Sequence, residues 1–474
     1  VSGGMGKDAV GSGNLFDIQG GSASYNTTLG SWDYPGAAEF QGHIDNTSVG
    51  NSGTGFTVRG SREMRVTGDN STSFNGDILI KQSTGRWITN SFTTTGITGI
   101  APPTKEYTNM SLAGSMGNFS GANSITLTRW GSLALLNNSA NPDYASANND
   151  NRLNDAGFLN MRNGFLKLET DVTTPNTENF GNVVADFGSN YIYLDNRAGG
   201  TFNGSMQTFT RNNNGILKIY STNPAQTFGA SGSDNTLLVN NTAGITTVGS
   251  GAPGSNTAPV VIGAFGAVLP TLATPTIGSY TRSIESVQGS FMFSGGGMQL
   301  MTLDNGYLRP LTSAEFDTAV TPGADTNWLI QGYISPTGGN VSDRNNYADR
   351  QITADTVINS LTIGFDATAS GQAIPTATKD YLIIQPGATL TISSGIINYN
   401  SFVEANSANM ETVIRGGSID VAGQTAIINS NAMWHDLDRN TANWYEVMTG
   451  NNGFMRSHIT NAAGLVKTGW NNIY

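Results

Sequence analysis

Apolar side chains recur at every second position in short runs along this chain. Leu166-Lys167-Leu168-Glu169 sets two leucines on one face of an extended segment and two charges on the other. Leu217-Lys218-Ile219 and Ile419-Asp420-Val421 repeat the arrangement. So do the pairs Ile125/Leu127, Leu133/Leu135, Ile192/Leu194, Leu361/Ile363 and Leu390/Ile392. A period of two predicts strands with one buried face, and long amphipathic helices are not evident.

Turn residues punctuate these runs. Asn-Gly pairs stand at Asn75-Gly76, Asn163-Gly164, Asn203-Gly204, Asn214-Gly215, Asn305-Gly306 and Asn452-Gly453. Both residue types tolerate left-handed backbone angles. The pairs suit ordinary hairpins or the corners of a solenoid, and spacing alone does not separate the two. Internal similarity favours the solenoid. The segments Phe74–Ile88, Phe119–Leu135 and Phe202–Ile219 each open Phe-Asn/Ser-Gly, run a strand, turn and resume a strand.

One stretch breaks this rhythm. Gly249 to Tyr280 is rich in Pro, Gly, Ala and Thr, and Arg309 to Val320 follows with Thr312 and Glu315 at capping-box spacing. A short helix is predicted near 310–320, on a surface excursion. The expected organisation is a β-helix segment with repeats over 1–248, a loop-rich excursion over 249–320, and a β-helix segment over 321–474 continuing into a further repeat. The predicted class is all-β, a right-handed parallel β-helix. Coils of about 20–25 residues stacked at ~4.8 Å would make a rod of about 100 Å. Asn and Thr at equivalent positions would form side-chain ladders.

Composition narrows the classes. The 474 residues carry a net charge of −11 with 12% charged residues, about half the ~25% of an ordinary soluble domain. With 37% hydrophobic residues, such sparse charge does not describe a disordered chain. There is no Cys; a chain this long buries enough core without disulfides, which fits an exported solenoid and leaves the compartment open. No apolar run is long enough to span a membrane as a helix. The 23 Lys and Arg are scattered, which argues against nucleic acid.

Several segments resemble the autotransporter-associated β-strand repeat proteins, giant surface proteins of Planctomycetota, Verrucomicrobiota and other bacteria. Asn151 to Glu169 is similar to the family's Arg-Leu…Leu…Gly-Gly-x-Leu-x-Leu element, and Asn176 to Thr201 to its Thr-Glu-x-x-Gly…Gly-x-Asn-x-Ile stretch. Gly306 to Phe316 resembles Gly-x-Arg-Pro-Leu-Thr-x-x-Glu-Tyr/Phe. Ile358 to Ile363 and Ile414 to Val421 match the Asn-Ser-Leu and Gly-Gly elements. The closing GLVKTGWNNIY resembles the start of a repeat, so the chain reads as a window on a longer polypeptide. The resemblance covers most of the chain from about Gly53. It implies export to the cell surface and a parallel β-helix, and brings no catalytic residues.

The expected role is therefore a non-catalytic extracellular structural protein of a fibre, filament or surface layer. Its partners would be copies of itself, stacked end to end or side by side, and surface glycans. The rival is a polysaccharide-active β-helix, a lyase or hydrolase, which needs carboxylates and a base converging on one groove. The cluster Trp434-His435-Asp436-Leu437-Asp438-Arg439 holds such groups, but strand neighbours point to opposite faces. A viral tail-spike shaft would share the fold and wrap as a trimer. Asn148 to Asp155 offers Asp150, Asp155 and amide oxygens of the kind Ca²⁺ takes, though an Asn-stabilised turn explains them too. His43, His435 and His458 are far apart and lack Cys partners for zinc. No cofactor is expected. Trp87, Trp130, Tyr191 and Tyr193 suit either a sugar-binding stripe or the core. Asn-x-Ser/Thr triplets begin at Asn26, Asn46, Asn70, Asn109, Asn118, Asn203, Asn240 and Asn340, open to glycosylation on an exported surface.

Overall fold

Alternating apolar residues build strands that are nearly all parallel, and the chain passes back and forth between paired sheets. The computed structural model describes residues 6–7, 13–18, 24–26, 31–33, 38–40, 44, 55–60, 64–82, 109–137, 148–170, 174–195, 200–221, 226–268, 298–331, 350–364, 380–403, 410–434 and 451–468. Sheet I stacks Gly55–Gly60, Asp77–Gln82, Ser124–Thr128, Phe158–Arg162, Asn182–Phe187, Phe202–Arg211 and Asn235–Asn241 as parallel neighbours. Sheet II interleaves with it in sequence. It stacks Met64–Val66, Met110–Leu112, Ser132–Leu136, Phe165–Glu169, Ser189–Asp195, Ile216–Ser221 and Ala264–Val268.

Side chains stay in register along each stack. Leu166, Ile192 and Ile219 align, 26 residues (166 to 192) and then 27 residues (192 to 219) apart. These intervals exceed the expected 20–25, because the connections carry structure such as the strand Asn176–Asn179, which pairs with Phe202–Ser205. Inward residues of both sheets, including Ile125, Leu127, Leu166, Leu168, Ile192 and Ile219, share one core. Phe74 and Phe119 stack edge to face at 5.3 Å inside the bends that lead into sheet I.

Sheets III and IV repeat the plan. Sheet III stacks Asn327–Gln331, Ser360–Gly364, Ile396–Val403, Thr425–Trp434 and Gly464–Thr468. Sheet IV stacks Asp380–Ile392, Met410–Asp420 and Asn451–Thr460, with the short strands Arg350–Ile352 and Thr356–Ile358 along its first member. A separate core of Leu361, Ile363, Leu390, Ile397, Ile414 and Ile428 lies between them.

Five of the six Asn-Gly pairs divide among three uses, and Asn75-Gly76 leads into the strand Asp77–Gln82 of sheet I. Asn305-Gly306, at φ +50° and +87°, joins the antiparallel hairpin Gln299–Asp304 and Tyr307–Pro310. Asn163-Gly164 and Asn214-Gly215 instead carry the chain from sheet I to sheet II, with Asn163 at φ +65° and Asn214 at φ +58°. The buried Asn190 holds the first corner, its Oδ1 accepting from the N–H groups of Asn163 at 2.7 Å and Gly164 at 3.2 Å. A side chain at Gly164 would strike Leu127 of the preceding layer. Asn203-Gly204 and Asn452-Gly453 lie within strands, contrary to the turn reading.

The stretch over 249–320 also differs from expectation. Its described residues build the fold instead of leaving it as a surface excursion. Ala264–Val268 extends sheet II, and the hairpin of Gln299–Asp304 and Tyr307–Pro310 ties sheet II to sheet I, giving one 21-stranded, mostly parallel, nearly closed sheet. Ala258, Val260, Met298, Leu300 and Leu311 are buried, so small and apolar residues here fill an interface. The predicted helix shrinks to a single 3-10 turn, Ser313–Glu315. The Glu315 carboxylate accepts from Thr312 N–H at 2.6 Å and Oγ1 at 3.1 Å, as capping-box spacing implies. It is also held by Arg309 and Gly254, and one nucleated turn gains too little to propagate. No α-helix occurs among the described residues, and none of their helices is long and apolar enough to cross a membrane.

Candidate functional site

Chemistry gathers where sheets II and III pack face to face. The outward positions of sheet II include Phe165, Tyr191, Tyr193, Ile216, Tyr220 and Phe265. They form one apolar cluster with Leu329, Ile396 and Ile427 from the outward face of sheet III. Parallel register stacks the rings. Phe165 lies 4.8 Å from Tyr191 at 7°, Tyr193 lies 5.4 Å from Tyr220 at 11°, and the half-buried Trp130 continues the stack to Phe165 at 5.6 Å. Such offset ring pairs add to the area they bury.

Polar groups stitch the seam. Asn327 Nδ2 donates to Ala258 O at 2.9 Å, Asn359 Nδ2 to Asn327 Oδ1 at 2.9 Å, and Asn398 Nδ2 to Met298 O at 2.8 Å. Asn429 Nδ2 donates to Asn398 Oδ1 at 2.8 Å, so amides ladder from layer to layer. Further along, Lys218 Nζ donates to Asn429 Oδ1 at 3.1 Å, and Ser189 Oγ meets Thr468 Oγ1 at 2.6 Å. The last two strands of sheet III thus meet progressively earlier strands of sheet II, Ile216–Ser221 and then Ser189–Asp195, so the second pair of sheets runs back along the first.

Lys218 is the seam's least ordinary group. It is 1% exposed and sits 5.9 Å above the Tyr191 ring. Burial, with a smaller push from Lys467, lowers its ammonium pKa to about 7. Burial raises the neighbouring Tyr191 phenol to about 12, and burial with the nearby Tyr193 and Tyr191 holds Tyr220 well above the ordinary phenol value. Lys167 and Glu169, also buried, face each other at 3.7 Å.

Two other charge clusters serve the fold. Arg152, fully buried, donates to the carbonyls of Gly117, Gly114 and Leu136 and to Asn137 Oδ1. The Glu178 carboxylate accepts from the backbone N–H groups of Arg152 at 3.0 Å and Leu153 at 3.1 Å. Burial pushes Glu178 up to about 8 and Arg152 down to about 10, against their mutual attraction. Arg309 bridges Glu315 at 2.7 Å and Asp304 at 3.0 Å, clamping the hairpin to the 3-10 turn.

The residues singled out in the sequence are distributed differently. Trp130, Tyr191 and Tyr193 do share a stripe, but it lies within the seam. Trp87, His43, and the cluster from His435 to Arg439 lie outside the described residues. His458 is exposed on the outer face of sheet IV beside Ser418. Around Asp150 the side chains act as turn acceptors: Asp150 Oδ1 takes Thr177 N–H at 2.9 Å and Asn149 Oδ1 takes Asn151 N–H at 3.0 Å. Asn70, Asn109 and Asn118 are buried and hydrogen-bonded, so those three triplets do not present an acceptor in the folded chain. Among the described residues no group of three His, Cys, Asp or Glu is placed to hold a metal. A hollow lined by Ile125, Leu153, Phe158 and Phe180 has room for about one water molecule.

Sequence reasoning missed the burial of Lys167, Glu169 and Lys218, having read the charges of Leu-Lys-Leu-Glu and Leu-Lys-Ile as solvated. The available signal was the aromatic residue at neighbouring outward positions: Phe165, Tyr191, Tyr193 and Tyr220 alternate with inward leucines and isoleucines. Comparison of the chain with protein-family models, curated proteins and solved structures gave no match.

Proposed function

We propose that this chain is a non-catalytic, exported structural element of a cell-surface fibre, filament or surface layer, with adhesive capacity. In this reading each pair of sheets is an arm of right-handed parallel β-helix, and the arms lie side by side. The resemblance to the autotransporter-associated β-strand repeat proteins supports it. The observation that carries it is the in-register stacking of parallel strands in interleaved pairs. Each layer contacts mainly its neighbours, so length grows by repetition. The side-by-side contact of sheets II and III illustrates lateral association of flat faces. Leu465, aligned with the core residue Ala426, is 65% exposed. A further layer, from this chain or another copy, would bury it.

Negative-stain electron microscopy of the purified chain over a range of concentrations tests this reading. Rods or filaments that lengthen with concentration are expected. A compact monomer at every concentration, with no ordered lateral or end-to-end contact, would remove the assembly role.

A further inference from the structure

The outward face of sheet I differs in kind from that of sheet II. Hydroxyls and amides stand on it beside the half-buried Leu79 and Val184: Thr126 aligns with Asn160, and Asn182 with Thr208. Asn160 Nδ2 reaches Thr126 Oγ1 at 3.4 Å and Thr208 Oγ1 donates to Asn182 Oδ1 at 2.9 Å. These cross-layer bonds hold the side chains in flat columns. One column collects cations. Arg59 aligns with Lys81, Lys81 with Thr128, and Thr128 with Arg162, and the exposed Arg129 follows Thr128 at the corner. Like charges on neighbouring strands cost stability. Asp17 aligns with Arg59 at one end of that column, while Lys81, Arg129 and Arg162 gather around Thr128 at the other, in a chain with net charge −11. Arg162 spends its Nε on Asp186 at 2.6 Å, and its side chain is 49% exposed. Across the face, Phe158 is 52% exposed and Phe187, beside Arg162 in register, 45% exposed.

We infer that this face binds an extended acidic polysaccharide along the axis of the stack. Layers repeat every ~4.8 Å, close to the advance of one sugar in an extended glycan, so successive carboxylate or sulfate groups meet successive layers. Arg supplies several N–H donors to one anionic group. The hydroxyl and amide columns supply hydrogen bonds to sugar hydroxyls, and Phe158 and Phe187 supply apolar surface for the sugar faces. Asp77, exposed in the column of Ser124 and Phe158 and accepting from Ser124 Oγ at 2.8 Å, keeps the anion on the side of Lys81 and Arg162. The inference gives the adhesive part of the proposed role a ligand class. It does not depend on filament formation, so binding without filaments would retain it while removing the assembly reading.

The test is calorimetric titration of the full chain with polygalacturonate oligomers, neutral dextran and single-stranded polyadenylate. Binding to polygalacturonate is expected, weakening steeply as salt rises because exposed charges are screened, with no binding to dextran. The double variant Lys81→Gln/Arg162→Gln is expected to bind about tenfold more weakly, two solvent-screened contacts of ~0.7 kcal/mol each. Phe158→Ser should weaken binding several-fold without changing the salt dependence. Arg415→Gln/Arg456→Gln, on the outer face of sheet IV, should leave it unchanged. Should the first double variant lose its fold by circular dichroism, Phe158→Ser and the salt series on the unaltered chain decide. Absence of polygalacturonate binding, equal weakening by the sheet IV variant, or equally tight polyadenylate binding would overturn the inference.

Discussion

Two consecutive strands of this chain read almost alike and live in different surroundings. Gly157-Phe158-Leu159-Asn160-Met161-Arg162 belongs to sheet I, and Gly164-Phe165-Leu166-Lys167-Leu168-Glu169 follows it into sheet II. Both point Leu and Leu or Met inward, where Leu159, Met161, Leu166 and Leu168 share one core. Outward they diverge. Phe158 is 52% exposed and Phe165 only 2%. Arg162 reaches toward solvent, whereas Lys167 and Glu169 are buried. Alternation therefore specifies which residues face the shared core. It does not say whether the opposite face meets water or a second sheet.

The largest expected effect sharpens that contrast directly. Phe165→Ala empties a site between Trp130 and Tyr191 and should cost about 3–5 kcal/mol, while Phe158→Ala should change stability by at most about 0.5 kcal/mol. Urea denaturation of the two variants measures both. Similar costs would mean that the outer faces are not unlike after all.

A smaller effect concerns charge. The folded pKa of Lys218, about 7, lies below its ordinary 10.5, so between these values the unfolded chain binds more protons. Stability then rises with pH from about 7 to 10.5, and the full penalty stands below 7. Lys218→Met is expected to raise stability below pH 7, on the order of 2 kcal/mol, and to flatten the slope through that window. Thermal melts from pH 6 to 10 follow both, and an unaltered slope in the variant would place the titration elsewhere.

The smallest expected effect is on the polar columns. Thr126→Ala trims an outward side chain of sheet I that takes one long hydrogen bond from Asn160. It should shift the denaturation midpoint by no more than about 0.5 kcal/mol in stability. A loss above about 1 kcal/mol would show that the cross-layer columns hold the sheet together as strongly as its seam counterpart.

The sequence by itself determined the strands, their inward faces and several of their corners. Period-two alternation leaves one way to bury Leu133, Leu166, Ile192 and Ile219, and Asn163-Gly164 admits the left-handed angle the turn needs. The spacing of Thr312 and Glu315 likewise announced their hydrogen bond, though not how short the turn would be. What only the tertiary structure decided was the fate of the other faces. Lys218 and Asn429 are 211 residues apart, and no local pattern relates them. Their meeting depends on the second pair of sheets folding back along the first. That packing put Tyr191, Lys218 and Glu169 in the interior and left Thr126, Lys81 and Phe158 outside, because a strand fixes which side a residue points to and only a neighbour fixes what it meets there.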